Sequence, residues 1–275
     1  MRWADMDLLG HINNVVYVDY LQEARVDMLR THGPAASTGD LAEGVVVVRH
    51  EVTYVAPLHF GFRPVSIESW VTEIRAASFT IAYEVFHEDD AGDRRVYLRA
   101  KTVLTPYVFG TERPRRITPV ERETLDTFLE PEQSPRPAPL APRPERALHY
   151  PVHIRFSDVD VYGHVNNVKY FEYFQEARIS GISQMWAGLD DITLVVAQTD
   201  VDYRVPILFR AEPYDAWSWI SRIGQRSATI ESVVADGDVV LARAKVTIVF
   251  FDRATQRSTA PPEAYLDRLR EWQSS

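Results

Sequence analysis

From Gly10 to about His32, Tyr17, Tyr20, Leu21, Ala24 and Met28 recur at the three- and four-residue intervals that line one face of an α-helix. Asp19, Gln22, Glu23 and Arg30 fall opposite, and Asn13 and Asn14 precede the pattern as cap candidates. Four runs follow, at about 44–56, 64–76, 78–89 and 95–109. They are rich in Val, Ile, Thr, Tyr and Phe and broken by Gly, Pro or Asp, which predicts strands. Thr118-Pro119-Val120-Glu121 has the form of an N-cap, a first-turn proline and an N3 glutamate, so a short helix should close this stretch. The same order then recurs. Tyr170, Tyr173, Phe174 and Ala177 oppose Glu172, Gln175 and Glu176 on a second helix, strands are predicted at 192–205, 213–223, 227–236 and 238–252, and a closing helix at 262–272. A long helix followed by consecutive strands, without strand-helix alternation, predicts an α+β fold in which an antiparallel sheet wraps a helix, present twice.

The recurrence is a duplication. Residues 2–25 (RWADMDLLGHINNVVYVDYLQEAR) and 155–178 (RFSDVDVYGHVNNVKYFEYFQEAR) agree at 14 of 24 positions. Farther on, Tyr54 and Pro57 answer Tyr203 and Pro206, Trp70 answers Trp219, and Arg99-Ala100-Lys101 answers Arg243-Ala244-Lys245. Residues 131–147 carry six prolines, a composition that favours extended chain over a packed core. The expected organisation is a domain over 1–130, a linker over 131–148 and a second domain over 149–275. An alternating segment, His149–Ile154, precedes the second copy only, so the first copy's opening strand is shortened or its start lies upstream.

Composition narrows the function. The 275 residues include no cysteine, which removes thiol nucleophiles, thiolate metal sites and disulfides and fits a reducing compartment, with the cytoplasm expected. A formal charge of −9 argues against a nucleic-acid partner. No apolar run is long enough to span a membrane, and Met1–Gly10 has no leader-like pattern. Walker, G-x-G-x-x-G, G-x-S-x-G and H-E-x-x-H signatures are all missing, so neither a metal nor another cofactor is expected.

The chemistry concentrates in D-x-D-x-x-G-H-x-N-N-V-x-Y-x-x-Y, present as Asp5, Asp7, Gly10, His11, Asn13, Asn14, Val15, Tyr17 and Tyr20. It returns as Asp158, Asp160, Gly163, His164, Asn166, Asn167, Val168, Tyr170 and Tyr173. It sets a carboxylate in the loop before a helix start, where unpaired backbone N–H groups and the helix dipole favour developing negative charge. A carboxylate base facing an oxyanion site is a hydrolase layout. Asp5 and Asp158 also suit turn-orienting carboxylates, the four asparagines suit N-caps, His11 and His164 suit loop hydrogen bonds, and the tyrosines with Trp70 and Trp219 suit the core.

Both copies resemble hotdog-fold thioesterases of the 4-hydroxybenzoyl-CoA thioesterase type, and the second, with DVYGHVNNVKY, is also similar to plant acyl-acyl-carrier-protein thioesterases. Tyr54-x-x-Pro57-Leu58-x-Phe60-Gly61 with Ser78-Phe79-Thr80, and more loosely Tyr203-x-x-Pro206 with Ser227-Ala228-Thr229, extend the likeness along the chain. The resemblance implies two hotdog domains forming an intramolecular pseudo-dimer, with further homo-oligomerisation open. It implies acyl-CoA hydrolysis, or hydrolysis of an acyl carrier protein thioester, with Asp7 and Asp160 as nucleophile or base. Backbone N–H groups of Asn14 and Asn167 are the implied oxyanion donors, among substrate-binding residues that include Gly10, Gly163, Asn13 and Asn166. His11 and His164 match the histidine implicated in the plant enzymes, although Leu9 and Tyr162 stand where those enzymes place a polar residue.

Glu23 and Glu176 are reserve bases only, since a solvated helix face near Arg25 or Arg30 explains them more simply. Arg113, Arg115 and Arg116 are candidates for a basic patch toward CoA phosphates or a carrier protein. His59–Pro64 resembles the H-F-P-x-x-P element of hotdog dehydratases but follows the long helix instead of preceding it. A non-catalytic acyl-CoA-binding module and a hydratase or dehydratase remain as alternatives.

Overall fold

The computed structural model describes residues 1–32, 44–132, 139, 142–189 and 192–273. The chain divides into two compact units, Met1–Arg136 and Pro137–Ser275, and much of the proline-rich linker expected over 131–148 lies outside the described residues. Unit 1 opens with a 3-10 turn, Trp3–Asp5. It continues through α1 (Val16–His32), β1 (Val45–Tyr54), β2 (Ser66–Ile74), β3 (Phe79–Glu88), β4 (Arg94–Val108), β5 (Arg113–Pro114) and α2 (Pro119–Asp126). Its main strands pair antiparallel in the order β2-β3-β4-β1, with β5 folding back on the end of β4. Unit 2 repeats the plan with β6 (Leu148–Val152), a 3-10 turn (Phe156–Asp158), α3 (Lys169–Met185), β7 (Leu194–Tyr203), β8 (Tyr214–Ile223), β9 (Ser227–Asp236), β10 (Val239–Asp252), β11 (Arg257–Ser258) and α4 (Glu263–Gln273). Its sheet runs β7-β10-β9-β8-β6, with β11 on the end of β10. Register shifts at Val47/Arg49, Val71/Glu73 and Val85/Phe86 in unit 1 are β-bulges, which add the local bend a sheet needs to curve around a helix.

Helix α1 buries Tyr17, Val18, Leu21, Arg25, Met28 and Leu29. Val18 and Leu21 are wholly removed from solvent, a gain of about 1.5–3 kcal/mol each. Two expectations are corrected. Tyr20, Ala24 and Trp70 are only half-buried, and Arg25 is buried where its charge assigns it to the solvated face. Helix α2 starts as its sequence requires: Glu121 N–H donates to Thr118 Oγ1 (3.2 Å) and Thr118 N–H donates to Glu121 Oε2 (2.8 Å).

The units differ at the sheet edge. In unit 2, β6 pairs with β8, and Leu148 lies over Gly181 of α3 so closely that a Cβ added there would meet Leu148 Cδ1 at 2.9 Å. Among the described residues, unit 1 has no counterpart of β6. The position equivalent to Gly181 is Met28, whose sulfur accepts the Ser69 hydroxyl at 3.4 Å on the edge strand β2. Part of that edge is covered instead by the chain after α2. Val71 N–H donates to Phe128 O (2.9 Å), Glu130 N–H to Val71 O (2.8 Å) and Glu132 N–H to Thr72 O (3.2 Å), while Glu132 pairs with Lys101 at 2.8 Å. Gly181→Met should therefore overpack unit 2 and cost about 1–3 kcal/mol. Thermal unfolding should show a lowered midpoint, recovered in large part by adding Leu148→Ala.

Candidate active site

In each unit the motif folds into a closed loop between the 3-10 turn and the long helix. Asp7 N–H donates to His11 O (2.8 Å) and Gly10 N–H to Asp7 O (3.0 Å); Asp160, His164 and Gly163 repeat both bonds at 2.8 and 3.1 Å. Gly10 and Gly163 sit at φ +75° and +82°, left-handed backbone that disfavours a Cβ, which accounts for both glycines. The Asp7 carboxylate accepts through Oδ1 from Leu9 N–H (2.8 Å) and His11 N–H (3.2 Å). Asp160 Oδ1 accepts from Tyr162 N–H (2.9 Å) and His164 N–H (3.3 Å). Backbone donors thus fix each carboxylate's orientation through one oxygen, and the second oxygen takes part in neither bond. Leu9 and Tyr162 enter this arrangement through their N–H groups, so the polar side chain of the plant pattern is not needed for it.

The first aspartate of each motif is structural. Asp5 is 2% exposed; it accepts from Arg2 N–H at 2.6 Å, pairs with the Arg2 guanidinium at 2.9 Å and accepts the Tyr20 hydroxyl. Burial pushes its carboxyl upward, but the Tyr20 and Arg2 hydrogen bonds outweigh this and hold it below its ordinary range. Asp158 repeats the pattern with Arg155 N–H (2.9 Å) and Tyr173 OH (2.7 Å). Burial and the neighbouring carboxylate push the Tyr20 and Tyr173 phenols up.

The asparagines divide into a cap and a residue of the turn it closes. Asn13 Oδ1 accepts from Val15 N–H (3.2 Å) and Asn13 O from Val16 N–H (3.0 Å), the bonds of an N-cap. Asn14 lies in the turn that leads into α1, two residues before Val16, and its N–H donates to no acceptor among the described residues. Asn166 closes the same turn ahead of α3, its Oδ1 accepting from Val168 N–H at 3.2 Å, and puts Asn167 at the position matching Asn14. Tyr54 OH donates to Asn14 O and Tyr203 OH to Asn167 O, each at 2.9 Å. These tyrosines repeat visibly in the sequence, but only the fold shows that they clamp the helix start.

His11 bridges by backbone to His59, and the two rings meet edge to face at 4.8 Å between centroids, with His59 Nδ1 3.3 Å from Gly10 O. In unit 2 the residue facing His164 is Leu208, so the histidine pair belongs to unit 1 alone. His59 therefore lies against the motif loop, a contact that sequence spacing does not reveal. Exposed apolar side chains surround each loop: Trp3, Leu8 and Phe62 in unit 1, Phe156, Val161 and Phe209 in unit 2. Glu23 and Glu176 are exposed on their helices. Arg115 is engaged bidentately by Glu121 (2.8 and 2.6 Å), so the expected basic patch shrinks to Arg113 and Arg116. A groove of about 390 Å³ in unit 2, lined by Gln198, Asp200, Arg222, Glu231 and Lys245, holds no motif residue. Among the described residues, no group of three or more His, Asp or Glu side chains is arranged to hold a metal ion, and no helix is long and apolar enough to cross a membrane.

A family model of the thioesterase-like superfamily matches residues 1–128 and 154–271. The long-chain acyl-CoA thioesterase FadM of Escherichia coli K12 is 31% identical over 116 residues, 40% of this chain and 86% of that protein. Among solved structures, a putative oleoyl thioesterase from Lactobacillus plantarum superposes with a TM-score of 0.74 at 15% identity, covering 92% of this chain and 94% of its own. A 12:0-ACP thioesterase from Umbellularia californica superposes at 0.72 and 16%, covering 90% and 91%; both share the fold. With the family model matching both units, the chain belongs to the thioesterase-like superfamily, a thioester hydrolase built from two hotdog units in tandem.

Proposed function

We propose that the chain hydrolyses acyl-CoA to a free carboxylic acid and CoA, with a catalytic apparatus in each unit. The observation that supports this reading is that both units hold a backbone-oriented loop carboxylate a few residues before the start of the long helix, where N–H groups have no intrahelical acceptor. In this mechanism Asp7 or Asp160 takes a proton from water, whose oxygen attacks the thioester carbonyl carbon. The carbonyl oxygen gathers negative charge facing the N–H of Asn14 or Asn167. Collapse breaks the carbon–sulfur bond, and the leaving thiolate takes up the proton that the aspartate removed from water, which returns the carboxylate to its starting state; His11 or His164 stands beside the aspartate in the loop to pass it on. Asn13 and Asn166 set the helix start, and Gly10 and Gly163 let the loop close beneath the thioester. CoA is favoured over a carrier protein because the 31% identical relative is an acyl-CoA thioesterase and because Glu121 already occupies Arg115.

Thiol release from short, long and aromatic acyl-CoAs, compared with the same acyl groups on carrier protein, tests this reading. Release from at least one acyl-CoA, at higher kcat/KM than from its carrier-protein counterpart, is expected. Saturable acyl-CoA binding without thiol release would replace the hydrolase with a binding module, and preference for the carrier would reassign the substrate.

A further inference from the structure

Arg25 is 5% exposed, yet its Nη1 reaches no hydrogen-bond acceptor among the described residues, and the hydroxyl of Tyr83, itself 1% exposed, completes no well-formed hydrogen bond. A buried guanidinium nitrogen that meets no acceptor is costly, and here the neighbour at hand is the neutral Tyr83 phenol rather than a carboxylate. The two groups are neighbours: burial raises the Tyr83 phenol above its ordinary range, with the positive charge of Arg25 and the nearby Thr102 working against that rise. Beside them, Thr102 Oγ1 and His50 Nδ1 lie 2.9 Å apart, both residues fully buried. Among the described residues no carboxylate is bonded to Arg25, and these donors under α1 play no part in the chemistry assigned to the loop.

Its position on the helix points to a ligand. The wholly buried Val18 and Leu21 and the buried Arg25 fall on one stripe of α1, and Asn14, eleven residues before Arg25, lies in the turn just ahead of that stripe. The line from the oxyanion N–H thus passes over apolar surface to a cation. Eleven residues rise about 16 Å, an upper bound because helical side chains lean toward the N-terminus. Such a span takes at most about a dozen carbon–carbon bonds of an extended chain. Unit 2 differs along the same line. Phe171 and Phe174 replace Val18 and Leu21, and Ser232, bonded to Ser218 at 2.8 Å, replaces Tyr83.

We propose that unit 1 selects acyl chains of up to about a dozen carbons that carry an oxygen at the far end, a carboxylate or a hydroxyl, which Arg25 and Tyr83 bind. This rests on the acyl-thioesterase reading and names the substrate class for that unit. The test measures kcat/KM for dodecanoyl-CoA, its ω-hydroxy analogue and its ω-carboxy analogue, in an Asp160→Asn background that leaves unit 1 to report. The ω-oxygenated chains should be preferred by about tenfold to a hundredfold, the range a hydrogen bond to a charged group supplies. Arg25→Met should abolish the carboxylate preference, read as the ratio of kcat/KM for the ω-carboxy chain to that for dodecanoyl-CoA. Tyr83→Phe, which keeps the ring, should cut the hydroxyl preference even if Arg25→Met folds poorly. Equal ratios in parent and variants would overturn the proposal. Absence of thiol release from every substrate would sink the hydrolase reading instead; calorimetric binding of the ω-carboxy and plain chains would then still decide the role of Arg25.

Discussion

Replacing Asp7 and Asp160 together with asparagine should lower kcat for thiol release about 10²- to 10⁴-fold, the usual contribution of a positioned general base. Asparagine keeps an Oδ1 that can accept from the N–H groups of Leu9 and His11, or of Tyr162 and His164, so the loop should hold its shape. Unchanged far-UV and near-UV circular dichroism would confirm that only the chemistry was altered. Each single substitution should leave the other unit working and remove only that unit's share of turnover. If one single change abolished all activity and the other did nothing, two competent sites would be ruled out. Changing Glu23 and Glu176 to glutamine should leave kcat within error, because both sit on exposed helix surface rather than at the loop.

What can be read from the chain, and what cannot, follows from the range of the interactions involved. The α+β order, both long helices and the eight principal strands are set by local periodicity and by turn residues, and the strand bounds fall within a few residues of the expected ones. The loop geometry is equally legible, since Asp7, Gly10, His11 and the Asn13 cap act on one another within a few residues of chain. Contacts set by distant segments stay hidden. Charge and spacing place Arg25 in solvent, whereas the sheet strand carrying Tyr83 lies against it. Met28 and Gly181 occupy equivalent positions in the repeat and read as ordinary drift. The difference tracks β6, whose Leu148 needs the space that Met28 fills in unit 1, where the described residues include no counterpart of that strand. The parallel pairing of Phe128–Glu132 with β2 comes from irregular chain next to prolines and carries no periodic signal.

Glu121→Ala should destabilise unit 1 by about 2–3 kcal/mol, a large effect for a side chain outside the apolar core. Its carboxylate is 5% exposed and does three things at once: it takes both Arg115 nitrogens, accepts Thr118 N–H, and so closes the capping box of α2. Truncation leaves the Arg115 guanidinium, a quarter exposed, without its partner, which places the cost below that of breaking a fully buried pair. The same pair gives unit 1 an acid limit. Burial pushes the Glu121 carboxyl upward, but Arg115 and Thr118 outweigh it and hold the group below its ordinary value, as Tyr20 and Arg2 do for Asp5. The unfolded chain therefore binds these protons first. The stabilisation is complete above the ordinary carboxylate range, about pH 4–5, and is lost as pH falls through the lowered native values. Denaturant unfolding of the parent and of Glu121→Gln should differ most at neutral pH, and the gap should begin to close as pH falls below the ordinary carboxylate range and vanish only through the lowered native value. A gap that did not narrow at all as the parent was taken through acid unfolding would mean that the ion pair contributes little and that glutamine fails for reasons of packing alone.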